Sequence, residues 1–157
     1  AIAEHVPVVK FQSACYERYG AAGIAVLHRG IEHAAAQGIE VILDAKRGDI
    51  GLTAAHYAAS ARLAGAGWTT VSPYLGFQPL DSFLEAGRGA FVLVRTSNPD
   101  SDAVQSLKLA DGRTVAEAMA DPLARLRECR HVITLEVTCG RSHGQSRRGR
   151  GSGSRFG

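Results

Sequence analysis

Three charged residues in the first third of the chain follow a short apolar run at a spacing that could do chemistry. Asp44, Lys46 and Asp49 come directly after Val-Ile-Leu at 41–43. Residues two apart on an extended segment project to the same side, so we expect the Asp44 carboxylate and the Lys46 ammonium to lie together. Opposite charges this close hold each other ionised. The pair could therefore present a fixed ammonium to a substrate without a metal ion.

A second lysine ends the preceding apolar run. Lys10 lies at the end of VPVVKF, residues 6–11. If this segment lies beside the strand that precedes Asp44, the two lysines and the aspartate form an alternating row of charges. A solvated run of charges at a strand end would give the same Asp-x-Lys pattern and is the alternative. The second lysine, the apolar strand and the further aspartate before a helix favour a site.

Strand and helix patterns alternate along the chain and would bring these residues to one edge of a sheet. Short β-branched apolar runs predict strands, and apolar residues at helical spacing predict helices. The predicted strands are 6–11, 40–45, 69–73, 90–96 and 131–135, and the predicted helices are 14–37, 53–64, 79–86 and 114–129. We expect the second helix to be capped near Asp49 or Thr53.

This order of elements implies βαβ units, a parallel sheet and right-handed crossovers. Two α/β folds satisfy it: an open doubly wound sheet, or a portion of a (β/α)8 barrel. A complete barrel takes about 250 residues, and the chain has 157. A barrel could therefore only be partial.

Other polar residues follow the fourth predicted strand. The active sites of parallel α/β folds lie at the carboxyl ends of the strands. Ser97 and Asn98 occupy such a position, although the same pair also fits an ordinary turn. We expect the aromatic residues Trp68, Tyr74 and Phe77 to lie in the core rather than to stack on a base.

The formal charge of +3 is unevenly distributed. Residues 1–136 hold 13 Lys/Arg and 15 Asp/Glu, a net of −2, whereas residues 137–157 hold five Arg and no acid, a net of +5. The Gly/Arg/Ser-rich segment cannot bury enough apolar surface to order itself. We therefore predict a domain at 1–136 and a tail at 137–157 that is disordered or a frame artefact. An arginine-rich RNA-binding arm is the alternative for the tail.

The sequence favours a cytoplasmic protein without a metal. Its three cysteines are far apart and its six histidines show no metal-ligand spacing, which argues against a disulfide framework or a zinc site. The apolar stretches are shorter than the about 18–20 residues that a membrane helix needs. No secretion signal opens the chain.

The strongest motif is DAKRGDIGLTA at 44–54. It closely resembles the signature of the orotidine 5′-phosphate decarboxylase family, with the pattern D-x-K-x-x-D-I-x-x-T intact. VVKFQSACYERYG, SPYLGF and VRTSNPD are similar to segments of the bacterial type 2 subgroup. The resemblance spans about residues 6–135. It implies a (β/α)8 barrel that acts as a homodimer and converts orotidine 5′-monophosphate (OMP) to UMP in de novo pyrimidine synthesis, without a cofactor.

The resemblance also implies roles for the charge row. Lys10 would contact the ribose and anchor the row, and Asp44 would face the substrate carboxylate. Lys46 would protonate C6 of the pyrimidine after CO2 leaves. A fixed ammonium beside a developing carbanion is electrostatic preorganisation, which is usually the largest catalytic contribution.

Four further residues receive roles from the same resemblance. Asp49 would be given across the dimer interface, with Ile50 and Thr53 beside it, and Ser97 would contact the edge of the pyrimidine. Counterparts of the family's first-strand aspartate and of its phosphate-binding loops are missing from this sequence. We therefore expect a fragment of about strands two to six, lacking both barrel ends, with weak or no activity of its own.

Two alternative functions stay open. A related phosphosugar decarboxylase of the same superfamily shares the D-x-K-x-x-D framework but uses a metal. A non-catalytic module could instead bind RNA through the basic tail. We expect OMP and UMP as ligands, with no membrane and no nucleic acid among the partners.

Overall fold

The computed structural model describes residues 4–85, 89–127 and 132–136. The strands of this part of the chain are β1 Val8–Gln12, β2 Glu40–Arg47, β3 Trp68–Val71, β4 Gly89–Arg95 and β5 Val132–Glu136. The helices are α1 Ser13–Glu17, α2 Gly20–Ala36, α3 Gly51–Leu63, α4 Leu80–Leu84, α5 Asp102–Gln105 and α6 Val115–Arg127. The predicted tail at 137–157 lies outside the described residues.

The five strands form one parallel sheet whose spatial order follows the chain, β1-β2-β3-β4-β5. A doubly wound sheet reverses its strand order at a switch point. A barrel instead adds each new strand beside the last one. The observed order therefore favours the barrel portion among the two predicted folds. All carboxyl ends of the strands consequently face one edge, where the predicted site residues are.

Each predicted strand overlaps an observed strand, but the first predicted helix is wrong as a single element. Two helices, α1 and α2, replace it, with a break before Gly20. Gly20 has a φ of +62°, in the left-handed region that favours glycine. The chain then turns so tightly that a Cβ on Gly23 would lie 2.0 Å from the carbonyl oxygen of Tyr16. Periodicity alone does not show such a turn.

The predicted cap of the second long helix is also wrong. Helix α3 begins at Gly51, which has a φ of +49°, and Ile50 precedes it without a side-chain cap. Asp49 accepts a hydrogen bond from the backbone N–H of Ile50 at 2.8 Å instead. Thr53 lies inside the helix. Because Gly51 adopts a left-handed conformation at the first position, the helix starts two residues before Thr53, which therefore cannot cap it.

The core lies between the sheet and the helices. Two clusters of buried side chains fill it, and both take residues from alternate positions of the strands, such as Val41, Leu43, Ala90 and Val92. The residues between them, such as Phe91, face the opposite side of the sheet and are only partly buried. The sheet therefore has one covered face and one more open face.

One expectation about the aromatic residues is wrong. Trp68 and Phe77 are partly buried, but Tyr74 is 72% exposed in the connection after β3. Tyr74 lies in the turn closed by a hydrogen bond from the Gly76 N–H to the Pro73 carbonyl oxygen, whereas Phe77, further along the same connection, packs against the core.

Candidate functional site

A buried carboxylate joins two lysines at the carboxyl edge of the sheet. Asp44 is only 5% exposed, and its Oδ2 accepts a hydrogen bond from Nζ of Lys10. Its Oδ1 accepts one from Nζ of Lys46 at 2.5 Å. The two lysine side chains stay about half exposed, at 53% and 47%. The structure thus brings the three residues of the expected charge row into direct contact.

Strand pairing explains how Lys10 reaches Asp44. In the parallel ladder Lys10 lies opposite Ile42, and Gln12 lies opposite Asp44. Lys10 and Asp44 are therefore diagonal neighbours on the open face of the sheet, a distance that a lysine side chain spans. The sequence puts Lys10 and Asp44 near the ends of two strands, and the register of β1 against β2 brings their side chains into contact.

Lys46 reaches Asp44 by a different backbone conformation from the expected one. Its φ is +48°, and the pairing of β2 with β3 shifts register between Leu43 and Arg47. The prediction of a regular extended segment is therefore wrong at this position. A non-glycine residue in the left-handed region is uncommon and costs free energy, and such residues cluster at functional sites.

Thr70 on the neighbouring strand is a site residue that the sequence analysis missed. Its hydroxyl donates a hydrogen bond to Oδ1 of Asp44 at 2.9 Å and accepts one from the backbone N–H of Lys46 at 2.8 Å. A polar residue inside the apolar strand β3 was the available signal. This polar residue could not be assigned to the site from sequence, because its contact with Asp44 depends on the register of β3 against β2.

The surroundings of Asp44 favour its ionised form. Burial tends to raise the pKa of this carboxyl group, but hydrogen bonds from Lys10, Lys46 and Thr70 and the charge of Lys46 outweigh burial and hold the pKa below its ordinary value. Asp44 is therefore an anion at neutral pH. It cannot act as a general acid there, but it can hold two ammonium groups in place.

The charge row borders an open cavity of about 620 Å³. This volume lies in the range of sites for small molecules. Charged and polar groups stand at one end of the cavity and apolar side chains form its wall; the lining residues are Lys10, Gln12, Ile42, Asp44, Lys46, Thr70, Phe91, Leu93, Thr96, Ser97 and Asn98. The arrangement suits a ligand with a flat apolar part and an anionic group.

The other predicted site residues divide into two groups. Ser97 lines the same cavity as the charge row, at the carboxyl end of β4. Asp49, Ile50 and Thr53 do not line it. They lie at the end of β2 and the start of α3, where Ile50 is 60% exposed. A single chain therefore brings together four of the seven predicted site residues.

A second polar cluster, also missed from the sequence, supports the end of β2 from the helix side. Arg47 forms an ion pair with Glu17 of α1, and its guanidinium lies 5.2 Å from the ring centre of Tyr57 in α3. A hydrogen bond from Ser13 lowers the pKa of Glu17 most, burial opposes this, and Arg47 lowers it further. The residue after Lys46 is thus anchored to both flanking helices.

Within the described ranges, no three His, Cys, Asp or Glu side chains are grouped so that they could hold a metal ion. Cys15, the free cysteine found there, is exposed. Among the helices of this same part of the chain, none has the length and apolar character needed to cross a membrane.

Comparison with known proteins finds one family to which the chain is similar. Residues 1–152 match the family model described as "Orotidine 5'-phosphate decarboxylase / HUMPS family". An orotidine 5′-phosphate decarboxylase from Salinispora tropica is 43% identical over 156 residues, which cover 93% of this chain and 56% of that protein. The chain spans about half the length of the curated relatives it matches.

Solved structures agree. The crystal structure named "putative orotidine 5'-phosphate decarboxylase" from Streptomyces avermitilis aligns with this chain at a TM-score of 0.79 and 40% identity. The alignment covers 86% of this chain and 52% of that one. The Leishmania donovani OMP decarboxylase has a TM-score of 0.71 at 38% identity, covering 81% and 51%. Together with the strand order, these matches confirm the predicted partial barrel.

Proposed function

The chain belongs to the orotidine 5′-phosphate decarboxylase / HUMPS family, and on that premise we propose that the whole protein converts OMP to UMP and CO2. The observation that carries the proposal is the ammonium of Lys46, held on the buried Asp44 beside an apolar cavity. The reaction would serve de novo pyrimidine synthesis.

Lys46 supplies the central step in this proposal. Loss of CO2 leaves an electron pair at C6 of the pyrimidine, where the ring delocalises it poorly. An ammonium already fixed near C6 stabilises this charge without reorganisation and then donates a proton to it. The ion pair with Asp44 supports the role because it keeps the Lys46 side chain in one place before substrate binds.

Asp44 and Lys10 complete the charge row. The Asp44 carboxylate would face the substrate carboxylate, and its like charge favours departure of CO2. Its lowered pKa supports an ionised Asp44 at neutral pH. Lys10, with its side chain half exposed on the other side of Asp44, is in a position to contact the ribose.

The apolar wall and Ser97 would hold the base. Phe91 and Leu93 provide a surface for the pyrimidine ring, and the exposed Ser97 hydroxyl can donate to or accept from the edge of the base. Ordering the base against this wall sets the distance between C6 and the Lys46 ammonium.

We propose that Asp49, Ile50 and Thr53 act in the site of a second copy in a homodimer. Their position outside the cavity of their own chain supports this arrangement. Apolar side chains in the same segment are also exposed, Ile50 at 60% and Leu52 at 74%. Residues 1–136 would form the catalytic portion. The protein would act in the cytoplasm. The assignment of residues 137–157 to a tail stays a prediction.

The test combines a product assay with a binding assay on the 157-residue chain. Release of ¹⁴CO2 from carboxyl-labelled OMP detects slow turnover, and UMP-dependent shifts of the Lys10, Asp44, Lys46 and Ser97 resonances detect binding. Lys46→Ala should lower the rate at least 100-fold and change UMP binding less. Lys108→Ala, which removes an exposed lysine outside the cavity, is the matched control and should keep both signals.

Two outcomes would overturn the proposal. The first is a wild-type chain that neither releases CO2 nor shows a UMP-dependent shift at the four residues. The second is a decarboxylation rate that EDTA abolishes, which would favour the metal-dependent phosphosugar decarboxylase instead.

A further inference from the structure

Thr70 occupies a central position in the site, although it does not carry a charge. It is 3% exposed, and its hydroxyl donates one hydrogen bond and accepts another. A threonine hydroxyl has one proton to donate. Because that proton goes to Asp44, the oxygen is left to accept from the backbone of Lys46.

The backbone of Lys46 needs such a partner. The register shift between Leu43 and Arg47 takes Lys46 out of the regular ladder with β3, and its φ is +48°. Lys46 as a residue is exposed, but its N–H takes part in a partly buried contact with Thr70, where an unpaired N–H would be costly. The Thr70 hydroxyl provides the pair at 2.8 Å.

We propose that Thr70 is a positioning residue that sets the place of the Lys46 ammonium by holding Lys46 at its backbone and Asp44 at its carboxylate. One hydroxyl thereby controls both ends of the Lys46 side chain, the Cα through the N–H and the Nζ through the Asp44 oxygen. The catalytic meaning of this control rests on the proposed function. The geometric control itself does not.

The neighbouring threonine is a matched control. Thr69 is 5% exposed, lies in the same strand and donates a hydrogen bond to the carbonyl oxygen of Leu43 at 3.1 Å. It differs from Thr70 in that this hydrogen bond reaches neither the Asp44 carboxylate nor the Lys46 backbone. A role for Thr70 in filling the core or in pairing strands would be shared by Thr69.

The experiment compares Thr70→Val, Thr70→Ser and Thr69→Val in the 157-residue chain by NMR. Valine keeps the shape and removes the hydroxyl, and serine keeps the hydroxyl. Thr70→Val should speed hydrogen exchange of the Lys46 amide at least tenfold and raise the pKa of the Asp44 carboxyl, because the carboxylate loses a donor. The ammonium groups of Lys10 and Lys46 still face Asp44, so they should retain part of the original lowering. Thr70→Ser should restore both values, and Thr69→Val should change neither.

Equal behaviour of Thr70→Val and Thr69→Val in both measurements would overturn the proposal, as would failure of Thr70→Ser to restore them. If Thr70→Val does not fold, Thr70→Ala and Thr69→Ala give the same comparison. These readouts do not require turnover. Absence of both CO2 release and a UMP-dependent shift, with the NMR result for Thr70 intact, would therefore defeat the proposed function alone, and turnover with an unchanged Thr70→Val spectrum would defeat only the positioning role.

Discussion

At the scale of single residues, the polar contacts of the candidate site converge on one carboxylate, that of Asp44. Asp44 is buried, accepts three hydrogen bonds from side chains and stays ionised because those bonds outweigh the cost of burial. The lysines that it holds remain half exposed, so they keep access to a ligand. The buried Asp44 carboxylate holds the two ammonium groups in place at the edge of the cavity.

The lowered pKa of Asp44 predicts a dependence of stability on pH. The stabilisation is fully present above the ordinary aspartate pKa of about 3.9. It is lost as the pH falls through the lower pKa of the folded state. At pH 7, Asp44→Asn should reduce the free energy of unfolding by about 1–2 kcal/mol, a modest value because both lysine partners are half exposed. Urea unfolding measures it.

The difference in the free energy of unfolding between wild type and Asp44→Asn should narrow as the pH falls below about 3.9, because the unfolded chain then takes up a proton at residue 44 before the folded protein does. Asp100→Asn, a change at an exposed carboxylate, controls for the loss of one charge. Glu17 also has a lowered pKa and stays in both proteins, so it does not affect the difference. A gap that is constant from pH 7 to pH 3 would contradict the assignment.

At the scale of elements, the irregular positions carry the site. Strand β2 departs from a regular ladder at Lys46, and Arg47 next to it is tied to α1 and α3. The break between α1 and α2 places Glu17 where Arg47 can reach it. Helices α1 and α3 thus contact the end of β2 through Arg47, and the cavity lies beside Lys46.

The tight turn between α1 and α2 predicts an ordering of two glycine substitutions. Gly23→Ala should lower the free energy of unfolding by about 2 kcal/mol or more, because the added Cβ would meet a backbone carbonyl, which cannot move aside cheaply. Gly20→Ala should cost about 1 kcal/mol, since its Cβ meets nothing but the residue keeps a positive φ.

Denaturant unfolding of both variants tests this ordering, and far-UV circular dichroism checks that the fold is kept. Equal costs for the two substitutions, or a greater cost for Gly20→Ala, would show that the contact between α1 and α2 is looser than the structure has it.

At the scale of the whole molecule, the sheet is covered on one face and open on the other. The cavity lies on the open face, and the exposed apolar residues Ile50 and Leu52 follow Asp49 at the start of α3. Apolar surface of this kind marks interfaces in soluble proteins. The proposed homodimer would cover part of it and bring a second aspartate to each site.

A substitution in this surface tests the dimer. Leu52→Asp places a charge among the exposed apolar residues at the start of α3 and should shift the protein toward monomer, by at least tenfold in the dissociation constant. Light scattering after size exclusion measures the mass. Leu63→Asp is the control, because Leu63 is 82% exposed at the other end of the same helix. A wild-type chain that is monomeric at high concentration, or equal effects of both variants, would contradict the interface.

The amino-acid sequence by itself determined the alternation of strands and helices, the parallel sheet and the family, because each depends on local patterns and on one specific motif. It also brought Lys10, Asp44 and Lys46 to one edge, since parallel strands end together. Only the tertiary structure decided how they meet. Lys46 adopts a left-handed backbone conformation. The hydrogen bond between Thr70 and the Lys46 backbone and the ion pair between Glu17 and Arg47 join residues that are far apart in sequence. Contacts of that kind depend on strand register and helix placement, which no local pattern encodes.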